Sequence, residues 1–120
     1  MRTHENLEVW KKSVDFVVEI YKLTNYFPTE EKFGLTSQLR RASVSIPSNI
    51  AEGAARNSEK EFLYFLSNSQ GSTSEVSTQI LLAFRLGFLE ERNYLYLSDK
   101  IDEIGIMITG LRNYLRKKNN

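Results

Sequence analysis

Ser45, Asn49, Glu52 and Arg56 follow one another at spacings of four, three and four residues. On an α-helix that spacing puts a hydroxyl, an amide, a carboxylate and a guanidinium on one stripe. Two uses are open to such a set. Facing solvent, it makes a groove that binds a polar ligand or acts on it; facing another helix, it makes an internal polar network that fixes helix register. The same segment holds Pro47 and Gly53. Inside a helix a proline costs ~3 kcal/mol and a glycine ~1 kcal/mol relative to alanine, so both call for a structural reason.

A second set of residues could hold phosphate: Lys11 and Lys12, Arg40 and Arg41, Arg56 and Lys60, and the closing run Arg116, Lys117 and Lys118. Other uses are open here too. Cations favour the carboxyl end of a helix through its dipole, and Arg40 or Arg41 could pair with Glu75. Sixteen basic against fifteen acidic side chains leave a net charge of +1, so no global field draws the chain to nucleic acid or a membrane. A basic site must therefore be local, or assembled from several copies of the chain.

Catalysis finds little support. His4 is the one histidine, close to the amino terminus and without a partner at metal-ligand spacing. The absence of cysteine removes disulfides, thiolate nucleophiles and sulfur-bound metals, and fits a reducing cytoplasm. Glu90, Glu91, Asp99, Asp102 and Glu103 read as a solvated acidic surface, the last three flanking an apolar seam. There is no Glu-x-x-His pair and no glycine-rich phosphate loop. The expectation is a non-enzyme with no cofactor and no metal. No apolar run is long enough to span a bilayer, so a cytoplasmic protein without membrane contact is expected.

The elements that must position these residues are helical. With 120 residues, 41% hydrophobic and 26% charged, the chain fits one domain over residues 1–120. Leu7, Trp10, Val14, Val17, Tyr21 and Thr24 alternate steps of three and four, predicting a first helix from about Leu7 to Thr24. Asn6 would cap it, and Asn25, in a left-handed conformation ahead of Pro28, would end it. The second helix carries Leu35, Leu39, Ala42, Ile46, Asn49 and Gly53 in a register that survives Pro47. A bend at Pro47 keeps that phase, whereas a break would normally lose it. Ser58 and Glu61 form a capping box that starts a third helix, with Phe62, Leu66, Ser69, Thr73, Val76, Ile80 and Ala83 inward and Gly87 at its end. The fourth carries Tyr94, Leu97, Ile101, Ile104, Ile108, Leu111 and Leu115. The fold class expected is all-α: an antiparallel up-and-down four-helix bundle with a proline-bent second helix.

In a hairpin turning near Asn57, facing residues of helices two and three have numbers adding to about 115. Pro47 then lies near Asn68, Ser45 near Gln70 and Arg40 near Glu75. Gly53 and Gly71 would sit where another backbone comes close, and Gln70, Ser72 or Ser74 would supply a donor to the Ser43 carbonyl that Pro47 leaves free.

"LEVWKKS", "PTEEKFGLTSQLRRASVSIPSNIAEGAAR", "SEKEFLYFLSNSQGSTSEVSTQILLA" and "LGFL" carry a resemblance. They look like the four-helix bundle family named for proteins encoded in 23S rRNA intervening sequences. The likeness covers nearly the whole chain and is most specific from Gln38 to Arg56. The accessory protein of diversity-generating retroelements, in the same family, is more distantly similar. The resemblance implies a bundle that assembles into a homopentameric ring or barrel, with no catalytic activity established. The retroelement branch binds nucleic acid and a reverse transcriptase through basic surfaces, whereas this chain is nearly neutral.

Aromatic residues fit an oligomer. Trp10, Tyr21, Phe62 and Tyr94 fall on the predicted seams, but Phe16, Tyr64, Phe65, Phe84, Tyr96 and Tyr114 fall off them and are candidates for a subunit interface. Two functions follow from these readings. One is a homopentamer that binds RNA or DNA by repeating a local basic patch. The other is a scaffold that binds a partner protein and no nucleic acid.

Overall fold

The computed structural model describes residues 3–118. Four α-helices form: α1 (Glu8–Thr24), α2 (Leu35–Ala54), α3 (Glu59–Arg85) and α4 (Glu91–Lys118). Short 3-10 turns cover Thr3–Asn6 and Thr29–Glu31, and no strand occurs among the described residues. Each helix packs on its two neighbours in the cycle α1, α2, α3, α4, most extensively α2 on α3 and least α1 on α4. The molecule measures 48 × 22 × 21 Å, its long axis matched to α4, whose rise per residue gives about 42 Å. This is consistent with a four-helix bundle.

Local chemistry explains most boundaries. Ser58 Oγ accepts from the Glu61 amide at 3.1 Å and so satisfies an orphan donor at the start of α3. At its end, Gly87 takes φ +85°, the Gly87 amide donates to the Phe84 carbonyl and the Phe88 amide to that of Ala83. These are the two bonds of a Schellman ending, which glycine allows because it has no Cβ. The Glu31 carboxylate accepts from the Leu35 amide at 3.1 Å and caps α2 from one turn upstream. Two expected caps around α1 do not form. Leu7, not Asn6, precedes α1 and makes no side-chain cap, because Asn6 belongs to the preceding 3-10 turn. Asn25 keeps right-handed angles, and the chain leaves α1 through tight bonds from the Tyr26 and Phe27 amides to the Leu23 and Thr24 carbonyls.

The core is rich in isoleucine: Ile20, Ile46, Ile50, Ile80, Ile101, Ile104 and Ile108 are buried with Leu39, Leu66, Val76 and Leu97. Each such side chain contributes about 1.5–3 kcal/mol over leaving it exposed. The predicted seams of α2, α3 and α4 are the inward ones, buried except for Asn49, Phe62, Tyr94 and Leu111, which are half-buried. That of α1 is rotated by about one residue. Val9, Ser13, Phe16, Ile20 and Thr24 face inward, while Val14 and Val17 are half-buried and Tyr21 is 42% exposed. Ser13 can take an inward place because its hydroxyl donates to the Trp10 carbonyl at 2.9 Å and needs no water; Thr24, inward as expected, donates likewise to that of Ile20 at 2.7 Å. Phe16, expected at a subunit interface, consequently lies inside, 3% exposed. Phe84, expected there too, is half-buried against the core and stacks on Tyr94 with ring centroids 4.6 Å apart.

Candidate nucleic-acid interface

The polar groups of the Ser45, Asn49, Glu52 and Arg56 stripe are engaged by other groups of the chain, the first two half-buried and the last two exposed. The Ser45 hydroxyl donates to Ser72 Oγ on α3, which donates onward to the Asn68 carbonyl. Asn49 Nδ2 donates to the Ser45 carbonyl at 2.8 Å. Arg56 lies 3.4 Å from Glu52 and 3.8 Å from Glu61, with its guanidinium over the Phe65 ring at 4.8 Å. These contacts fasten α2 to the start of α3.

Gly53 sits where the two helices touch. A Cβ there would lie 2.8 Å from Phe65 Cβ, 2.9 Å from Phe62 Cδ1 and 3.3 Å from the Phe62 carbonyl oxygen. Gly71 does not share that role: it is exposed, with nothing within 4 Å of a Cβ built on it, because it lies on the side of α3 turned away from α2. Gln70 also turns from α2. Its Nε2 donates to the Gly105 carbonyl of α4 at 3.2 Å, and its Oε1 accepts from Thr109. Pro47 lies inside α2 and is buried. Ser69 donates to the neighbouring Ile46 carbonyl at 2.8 Å, while none of Gln70, Ser72 and Ser74 donates to the Ser43 carbonyl as expected: Gln70 bonds α4 and Ser72 the Asn68 carbonyl.

Most of the nine candidate cations are engaged within the chain. Lys11 pairs with Glu8 at 3.2 Å, Lys12 with Glu103 at 2.8 Å and Lys118 with Glu59 at 3.3 Å. The Lys12–Glu103 hydrogen bond, then the attraction of the two charges, raises the Lys12 pKa and lowers that of Glu103. Arg40 does not meet Glu75. It reaches α1, donating from Nε to Thr24 Oγ1 at 2.8 Å and from Nη2 to Asn25 Oδ1 at 3.1 Å, with its guanidinium 4.5 Å from the Tyr21 ring centre. The rotation of α1 explains this, since it turns Tyr21 outward as a platform for the guanidinium.

Arg41, Lys60, Arg116 and Lys117 form no ion pair among the described residues. Three of them come together. The Lys118–Glu59 pair brings the end of α4 to the first residue of α3, so Lys60, Arg116 and Lys117 share one end of the molecule and are exposed. The spacing of residues in the sequence holds no sign of this, since the pair joins positions far apart. His4, expected near a frayed terminus, packs edge-on against Trp10 at 4.9 Å.

A further group was missed by sequence reading. Phe33 stands 90% exposed ahead of α2, beside an open groove between α2 and α3 that includes Arg41, Glu75 and Gln79. Its one sequence signal is an aromatic next to Gly34, outside every helical seam. Among the described residues no group of histidine, cysteine and carboxylate could hold a metal ion, and no helix is long and apolar enough to cross a membrane.

Comparison with known proteins agrees with the fold. The crystal structure of a protein of unknown function from the S23 ribosomal protein family of Bacteroides thetaiotaomicron VPI-5482 superposes with a TM-score of 0.81 at 23% identity, covering 87% of this chain and 97% of that one. At that identity the likeness shows the fold alone. No curated protein matches the chain. The family described as 23S rRNA-intervening sequence protein matches residues 5–110, nearly the full length, and it is to this family that the chain belongs.

Proposed function

We propose that the chain is a non-catalytic, homopentameric helical bundle that binds RNA through a basic end repeated in every copy. The observation that carries this reading is that Lys60, Arg116 and Lys117, three exposed cations that form no ion pair among the described residues, share the end of the molecule where α4 meets α3. Cations already paired at about 3 Å with carboxylates offer little to a phosphate, whereas these three retain their charge for it. Repetition around a ring would give an affinity that one subunit of a nearly neutral chain lacks.

The bundle is read as up-and-down and antiparallel, with α2 bent at Pro47. Contacts support the direction: numbers rise along one helix as they fall along the other in the pairs Ile46–Ser69 and Gly53–Phe62, and in Gln70–Gly105 and Glu59–Lys118. The missing Pro47 amide and its ring, crowded against the preceding turn, support the bend. Self-assembly has support in exposed apolar residues, among them Tyr64, Leu82, Leu86, Leu95, Ile106 and Tyr114 on α3, α4 and the turn between them. The same residues favour a second reading, a protein-binding scaffold without nucleic acid.

Filter binding of a structured RNA over a range of salt separates the two. The RNA reading expects affinity to fall steeply with salt, and replacement of Lys60, Arg116 and Lys117 by Ser to flatten the slope for all sequences alike. Absence of binding at low salt would leave the scaffold.

A further inference from the structure

Along the outside of the α1–α2 pair runs a face with almost no charge. Arg40 over the Tyr21 ring, 4.5 Å from its centre, fixes where the two helices meet. With the helices running in opposite directions, as read above, each further turn adds a pair in register: Val17 with Val44, Val14 with Pro47 and Trp10 with Ala51. Val44, Tyr21 and the adjacent Val18 are exposed. Valine is a weak helix former, and left in water it gains no burial in return, so the chain's own packing gives no reason for it there. A centre depleted of charge and holding aromatics is the anatomy of a protein interface. Arg40 is the one charge on this face. It spends Nε and Nη2 on α1, and no carboxylate pairs with it among the described residues.

The surface that fits it stands on α4. Leu95, Asp99, Asp102, Ile106, Gly110 and Asn113 follow at helical steps and are all exposed, so they form the outer ridge of that helix. Ile106 is 73% exposed. Gly110 has nothing within 4 Å of a Cβ built on it, a mid-helix glycine that costs ~1 kcal/mol without serving the chain's own packing. Asp99 and Asp102 form no ion pair among the described residues.

The two surfaces match in level. Ser45 bonds Ser72, and Thr73 Oγ1 lies 3.9 Å from a Cβ built on Gly105, so residues 45 and 105 stand at one height along the bundle. Val44 is therefore level with Ile106. In the up-and-down reading α2 and α4 run the same way, so one turn earlier Arg40 is level with Asp102, and one turn later Ser48 is level with Gly110. Beside a second copy set without shift along the axis, the ridge presents an isoleucine to the valines, an aspartate to the unpaired arginine and a glycine where two backbones come close. Such a contact joins two different surfaces without a climb, the condition for a heterologous interface to close into a ring and not a filament. We infer that the outer ridge of α4 docks on the α1–α2 face of a neighbouring copy. This rests on the self-assembly proposed above and names the surfaces that carry it.

Light scattering of three full-length proteins tests it: the parent, Val44→Glu and Ile106→Glu. Each variant keeps one surface and loses the other to a carboxylate set in the contact, so each alone should have the mass of one chain where the parent has several. Mixed, the intact ridge of the Val44→Glu copy should dock on the intact face of the Ile106→Glu copy, and the mass should rise to two chains and no further. Circular dichroism checks that each variant keeps its helices; if Val44→Glu does not, Val18→Glu on the same exposed side replaces it. Assembly of either variant to the parent's mass would overturn the interface while leaving self-assembly in place. So would two single chains that stay apart when mixed. A parent with the mass of one chain would overturn both readings together.

Discussion

Replacing Gly53 by alanine should destabilise the protein although alanine is the better helix former. The added methyl would meet Phe65 Cβ at 2.8 Å, Phe62 Cδ1 at 2.9 Å and the Phe62 carbonyl oxygen at 3.3 Å. Rotation of the Phe62 ring relieves only the second contact. The first is to an atom that any residue but glycine carries, and the third is to backbone, so α2 and α3 must move apart where they touch most. Such overpacking costs about 1–3 kcal/mol. The gain in helix propensity offsets ~1 kcal/mol of it. The net loss expected is up to about 2 kcal/mol, or a fall in Tm of up to about 8 °C for a chain of this length. Gly71→Ala is the control, since the new methyl meets nothing within 4 Å; it should stabilise by up to ~1 kcal/mol. Thermal unfolding followed by circular dichroism reads both. A Gly53→Ala variant stabilised as much as Gly71→Ala would refute the close approach of the two helices.

If α2 is packed to a bend at Pro47, as proposed, Pro47→Ala should keep the helical content but lower stability by about 1–3 kcal/mol, because the restored amide would straighten it; unchanged melting and unchanged mass would deny the proline such a role. Arg40→Lys should cost about 1–2 kcal/mol in chemical denaturation, since a lysine cannot bond Thr24 and Asn25 together while stacking on Tyr21. The Lys12–Glu103 pair sets a pH window. The Glu103 carboxyl titrates below its ordinary range, so its contribution is present above that range and lost as pH falls through the lowered value; Lys12 titrates above its ordinary range, so its contribution is lost only as pH rises through the raised value. Glu103→Gln should therefore show a shallower acid loss of stability than the parent, measured as denaturation midpoints across pH, and identical acid limbs would contradict the pair.

Three of the four helix seams could be read from apolar spacing because buried aliphatic residues mark each in helical phase: Leu39, Ile46 and Ile50 in α2, Leu66, Val76 and Ile80 in α3, and Leu97, Ile101, Ile104 and Ile108 in α4. The seam of α1 could not, since Ser13, polar by type, takes an inward place with its hydroxyl bonded to its own helix. That single rotation carried other consequences. It moved Phe16 inside and Tyr21 outside, and so took Arg40 from the expected Glu75 to α1. Gly53 and Gly71 look alike in sequence, both glycines amid small residues. They differ only in which side of the helix they occupy, a matter of about 100° per residue along the chain. Of the site, the polar stripe was readable as a set, but its internal use depended on α3 lying against it. The basic end and the groove at Phe33 both join residues distant in sequence, and spacing holds no information about such meetings.

Self-assembly underlies the multivalent affinity proposed for the basic end, and light scattering of the purified chain across a tenfold dilution measures it. A mass of about five chains, unchanged on dilution, is the predicted result. A stable mass of one chain would contradict it and leave Lys60, Arg116 and Lys117 as a single weak patch on a nearly neutral monomer.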